Sequence, residues 1–230
     1  MSFRIGSLHR VVPVGVLLFA ALPAAGQIGY PSFQTPRVAN REFNFALADA
    51  DGVTPIMFQW REGTSVRSQI SLDVGLADPE SDAADLFFLI GGQYAHQLAR
   101  STTDMPLDLL LTVGVFGIFG NDATGISVPV GLSVGHRFPL EGTRMAITPY
   151  AHPRLSLDYV DSDPGDSETD LEINFDLGGS LEISPQIAIR LSALLGDPDA
   201  LGISLAWTPS GLRSSPARPA VGSASITSRP

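Results

Sequence analysis

The sequence predicts an all-β chain that closes into an antiparallel, up-and-down transmembrane barrel of about ten strands, with eight as the alternative count. Three observations predict it. Segment after segment alternates apolar and polar residues with a period of two, the mark of a strand with one greasy face and one polar face. Several segments run eleven to thirteen residues, longer than most soluble strands and enough to cross a bilayer at a tilt. Their polar faces carry both signs of charge: Glu42, Asp73, Asp108, Asp158, Glu172, Asp176 and Glu182 beside Arg61, Arg67, Arg137, Arg154 and Arg190. An ionic face that can pair its own charges, set against an apolar face, suits a barrel with lipid outside and charge inside.

Taken in order, the first strand spans Glu42 to Ala48, with Phe43, Phe45 and Leu47 on one face, and Asp49 to Gly52 turns it. The second, Pro55 to Arg61, sets Ile56, Phe58 and Trp60 against Met57, Gln59 and Arg61. The third runs from Val66 to Leu76 and the fourth from Leu86 to Leu98. The fifth, Leu107 to Phe119, competes with a helix, but Gly114, Gly117 and Gly120 with the β-branched residues favour a strand. The sixth, Ile126 to Phe138, alternates Ile, Val and Leu with Ser, Gly and Arg. The seventh, Met145 to Val160, and the eighth, Leu171 to Ile183, flank an acidic tip from Asp161 to Asp170. Ile187 to Leu194 and Leu201 to Trp207 complete the count. Pro129, Pro149 and Pro153 fall inside the sixth and seventh strands, where a missing N–H calls for bulges; a bulge can flip parity, so alternation assigns the facing of Arg154 to Tyr159 and leaves that of Met145 to His152 open.

Outside the strands, residues 1–26 read as a secretory signal peptide. Arg4 and Arg10 precede an apolar run from Val11 to Leu22, and Ala24, Ala25 and Gly26 make a small-residue cleavage site. Residues 27–40 form a Pro- and Gly-punctuated lead-in, residues 41–208 the barrel, and residues 209–230 a Ser-, Pro- and Arg-bearing tail whose composition reads as disordered. There is no cysteine, hence no disulfide framework and no thiolate metal site. A net charge of −10 argues against nucleic acid as a partner.

With these strands and this signal, the chain resembles the small outer-membrane β-barrel proteins of Gram-negative bacteria. Gly125-Ile-Ser-Val-Pro-Val-Gly-Leu-Ser-Val-Gly-His-Arg-Phe138 is typical of the class, and Leu201, Ile203, Leu205 and Trp207 match its aromatic-ended last strand. The resemblance implies an outer-membrane address, lipid as the surrounding partner and a monomer. Ten-stranded relatives include the omptin proteases, with an Asp-x-His element, and lipid A deacylases use a His-x-Ser. This chain has neither, and no enzyme and no cofactor are expected.

Other chemistry is sparse. His96 and His136 suit an interfacial girdle, and His152 a lumen hydrogen bond. Asp161, Asp163, Asp166, Glu168 and Asp170 offer a weak divalent-cation site, although their spacing is not that of an EF-hand. If the seventh and eighth strands are symmetric about Gly165, Arg154 faces Asp176 and Asp158 faces Glu172. With Arg190 these form the expected ionic cluster of the lumen. The expected role is structural or surface-interacting, with acidic outer loops, and a narrow channel for small solutes or ions is the alternative. Alternate joints hold 14 of the 24 acids and no Arg, which places them on the outer side and both chain ends in the periplasm.

Overall fold

A computed structural model describes residues 29–50, 52–79, 86–121, 123–162, 166–196 and 199–210. The expected signal peptide and nearly all of the tail lie outside them. The described chain is all β: β1 (Arg41–Ala50), β2 (Val53–Gly63), β3 (Ser68–Pro79), β4 (Phe87–Ala99), β5 (Asp108–Phe119), β6 (Ala123–Gly135), β7 (Phe138–Pro139), β8 (Ala146–Ser162), β9 (Asp166–Glu182), β10 (Ile187–Leu195) and β11 (Ala200–Trp207). The two-residue β7 continues the lower end of β6 along β8, so the strands form ten staves. Each stave pairs antiparallel with its sequence neighbours, and β1 pairs with β11 from Phe43↔Trp207 to Ala50↔Ala200. The barrel is closed. Its lower end is taken here as the one where Arg41 enters and Trp207 leaves.

Alternation decides the two faces. Along β1, Glu42, Asn44, Ala46, Ala48 and Ala50 are buried, while Phe45 and Leu47 point outward. The buried polar set includes Gln59, Arg61, Asp73, Asp108, Thr112, His152, Asp158, Asp176 and Arg190, and the exposed set is a belt of Leu, Ile, Val and Phe. A soluble protein buries the second set and exposes the first, so this barrel is inside out. Tyr94, Phe138 and Trp207 ring the lower end, and Phe88, Phe119 and Tyr159 the upper end, as aromatic girdles do. His96 and His136 lie at the lower end. His96 Nδ1 is 2.9 Å from Ser68 Oγ, and His136 packs edge-on against Phe138 at 4.5 Å.

The prolines are accommodated otherwise than the sequence suggests. The β5–β6 ladder omits Val128 and Pro129, and the β6–β8 ladder omits Leu132 and Ser133, opposite Pro153 and His152, but each resumes in unchanged register. Rungs are dropped and parity is kept. Buried Ala146, Thr148, Tyr150 and His152 therefore face the lumen in phase with Ser156 and Asp158. A register shift does occur between Gln97 and Ala99, away from any proline in the strands. Strand three also begins later than expected, leaving Val66 and Arg67 in an exposed turn.

Candidate functional site

The lumen is where chemistry gathers, and the residue that organises it is not on a strand. Residues 29–40 lie inside the barrel and descend to its lower end, where the Gly63 amide donates to Asn40 O at 2.7 Å. Ala39 N donates to Gln69 Oε1 and Val38 N to Gln97 Oε1. Gln97 Nε2 donates back to Pro36 O, and Ser133 Oγ donates to Gln34 O at 2.7 Å. Barrel side chains thus replace the ladder that this aperiodic backbone lacks. Phe33 and Gln34 are each 1% exposed. Phe33 holds a left-handed backbone, φ 48°, which costs about 1–2 kcal/mol for a residue with a Cβ. Its ring is buried with Ala46, Met57, Ala77 and Leu89. Gly202 makes room for it, since a β-carbon there would lie 2.6 Å from Phe33 Cζ. Tyr30 packs edge-on to Phe116 near the upper end. Burial, with the Asp73 carboxylate nearby, raises the Tyr30 phenol well above its usual pKa.

Two ionic clusters flank this segment. In the first, Glu42 accepts from Arg190 Nη1 and Nη2 at 2.8 and 2.6 Å and from Arg61 Nη1 at 2.8 Å. Arg61 also donates to Ser32 O at 3.0 Å and to Gln59 Oε1 at 3.2 Å, and Gln59 in turn donates to Asp73. In the second, Asp176 accepts from Ser32 Oγ at 2.8 Å and from Arg154 Nη2 at 3.2 Å, and lies 3.3 Å from His152 Nδ1. Ser32 Oγ is 2.8 Å from His152 Nδ1, and Thr112 Oγ1 is 2.9 Å from Nε2. Ser32 has one proton and gives it to Asp176, so Nδ1 of His152 is a donor, and the neutral tautomer that carries this proton accepts from Thr112 at Nε2. Gly131 is what lets His152 fit: a β-carbon there would stand 2.5 Å from Nε2.

The expected cluster residues divide between these groups. Arg154 does not face Asp176 across the hairpin. Its partner is Asn174, while Asp176 faces His152, Asp158 faces Asp170 and Glu172 faces Ser156. The hairpin is centred one residue earlier than Gly165, which moves every rung by two. Arg154 reaches Asp176 diagonally, with Nε 3.1 Å from Oδ2. Asp158 accepts from Ser156 Oγ at 2.6 Å, and Arg190 belongs to the Glu42 cluster. Ser32 and Thr112 carried no signal in the sequence, because nothing periodic places residue 32 beside residues 112, 152 and 176.

The acidic tip is mostly strand. β8 runs on to Ser162 and β9 starts at Asp166, and Asp163 lies outside the described residues. Asp161 takes the outward face, Glu168 and Asp170 the lumen face, because neighbours of opposite parity diverge. Among the described residues no three His, Asp or Glu side chains converge to hold a metal.

A hydroxyl, an imidazole and a carboxylate do converge at His152, a constellation that could support nucleophilic chemistry. Ser32 is half-buried and lines the upper cavity, but Thr112, His152 and Asp176 are each at most 2% exposed and line neither lumen cavity. An upper cavity of about 90 Å³ is lined by Tyr30, Arg61, Asp73, Arg154, Asp158 and Glu172 among others. A lower one of about 290 Å³ is lined by Arg37, Glu42, Arg100, Arg137, Glu182 and Arg190 among others. There Arg137 donates to Glu182 at 2.7–3.0 Å, a bond that raises the guanidinium pKa.

No protein-family profile matches the chain, and no curated protein sequence does. Solved structures do match in fold. The KdgM porin aligns at 5% identity over 73% of this chain and 99% of its own, with a TM-score of 0.40. LpxR from Salmonella typhimurium aligns at 7% identity over 74% and 85%, with a TM-score of 0.45. The β-domain of the Bordetella autotransporter BrkA aligns at 12% identity over 74% and 98%, with a TM-score of 0.41. At these identities and TM-scores the likeness carries no role over to this chain.

Proposed function

We propose that this chain is an outer-membrane β-barrel whose lumen is closed by its own lead-in, and that it works through its outer rim. The observation that carries the reading is the path of residues 29–40 between the two cavities, with Phe33 and Gln34 filling the lumen between them. The apolar belt and the two girdles support a bilayer address. Cleavage after Gly26, as the sequence suggests, would make Gln27 the new chain start, two residues before Gly29. The complete burial of the His152 ring and the Asp176 carboxylate favours an anchoring role for them over catalysis, although Ser32 beside them reaches the upper cavity.

Bilayer recording tests the reading. The folded protein is expected to be silent, and a variant lacking residues 29–40 is expected to conduct. Steady conductance by the intact protein would establish the second reading, a narrow channel for small solutes or ions, which the two cavities favour.

The orientation is testable in cells. An epitope inserted at Gly165, outside the described residues, is expected to be labelled on intact cells, and one at Pro230 only after lysis. Labelling of the Pro230 tag on unbroken cells would invert the topology. Divalent cations bridging the acidic rim to anionic lipid headgroups remain part of this proposal, as does a monomeric state.

A further inference from the structure

The rim has a step in it. β8 pairs with β9 along its whole length, from Ala146↔Glu182 to Ser162↔Asp166. β10 pairs with β9 only from Ala188↔Glu182 to Leu195↔Phe175, then turns at Gly196, whose amide donates to Asp199 at 2.9 Å. Gly196 still packs on Asn174, but from Asp166 to Ile173, β9 has no strand on its β10 side among the described residues. Eight residues make an open edge of roughly 26 Å. Every second N–H and C=O along it points away from β8. Hydrocarbon does not tolerate such a row, so this edge stands in water or is covered by another strand.

The side chains along the edge have a pattern of their own. Leu171 and Ile173 on the outward face are 66% and 78% exposed, and Ile173 is the most exposed large apolar residue described. Glu168, Asp170 and Glu172 occupy the opposite face, with no Arg between Ser162 and Phe175. We infer that the edge of β9 from Asp166 to Ile173 receives an extended strand of a partner in which basic residues alternate with branched apolar ones. Main-chain hydrogen bonds would supply the affinity, and the alternation the specificity. Basic residues would sit beside Glu168 and Asp170 and apolar ones beside Leu171 and Ile173, the favourable cross-strand pairings. A second copy is the poorer occupant, because antiparallel self-pairing brings carboxylates opposite carboxylates. The inference deepens the proposed surface role and rests on it.

The test uses the folded full-length barrel in detergent and a synthetic octapeptide alternating Arg and Val. Two further octapeptides are N-methylated, one on the Arg amides and one on the Val amides. A strand added to an edge turns alternate amides towards it, so one methylated peptide is expected to lose at least tenfold in affinity and the other to bind unchanged. Asp170→Arg and Ile173→Asn, both partly or fully exposed positions, are each expected to weaken binding at least tenfold. Equal behaviour of the two methylated peptides would mean charge attraction without a shared ladder, and would overturn the inference. So would absence of binding, or disulfide cross-linking of Ile173→Cys to itself in place of peptide binding. Bilayer recording on the same preparation keeps the outcomes apart: conductance would sink the closed-lumen reading and leave the peptide result standing.

Discussion

Glu42→Gln is expected to cost the folded barrel about 3–5 kcal/mol, the usual penalty for removing one partner of a buried ion pair. Glu42, Arg61 and Arg190 are each under 10% exposed, so bulk water does little to screen what is left. Arg190 suffers most. Both of its recorded hydrogen bonds end on Glu42, and its Nε has no partner among the described residues. Arg61 keeps Ser32 O and Gln59 Oε1. The double variant Glu42→Leu, Arg190→Met removes a charge of each sign and should recover much of the loss, since a buried pair replaced by apolar groups is often near neutral. Urea unfolding in lipid vesicles, read by the fluorescence of Trp60 and Trp207, measures both. Arg41→Gln is the control. Its pair with Glu62 lies at the solvated lower end, and no resolved change is expected. An unchanged midpoint for Glu42→Gln would show that the cluster is hydrated and not closed.

Asp176→Leu should be comparably damaging, and it should also loosen the lead-in. Asp176 accepts from Ser32 as well as from Arg154, so its loss breaks an anchor of residues 29–40 along with an ion pair. Arg154→Met removes only the second contact and should cost less. In a double-mutant cycle the two changes are expected to couple by about 0.5–3 kcal/mol, the range for residues in contact. Additivity within about 0.3–0.5 kcal/mol would mean that the guanidinium and the carboxylate do not touch. Limited proteolysis separates the two consequences. Asp176→Leu should expose the lead-in to cleavage while the barrel stays folded, and Arg154→Met should do so far less.

What the sequence determined by itself is the set of faces. Because side chains alternate with a strict period of two, Phe45 and Leu47 could share a side only if Asn44 and Ala46 shared the other. The same logic placed Asp158, Asp176 and Arg190 inside and Ile173 and Leu205 outside, and it survived three prolines because dropped rungs leave parity alone. Ten staves and their order followed from short joints between neighbours.

Tertiary structure decided the rest, for two physical reasons. Register depends on where a hairpin turns, and the tip from Asp161 to Asp170 is built of turn formers that also tolerate a solvated strand. Its centre therefore moved by one residue and Arg154 came to face Asn174. The lead-in has no period at all, so nothing local says whether residues 29–40 lie outside or within. One clue was present: Gly29 to Pro36 holds Tyr30 and Phe33 and no charge, a poor composition for a solvated linker. Its destination, however, depends on a lumen assembled from every strand. Ser32, Thr112, His152 and Asp176 meet only because the barrel closes around residue 32.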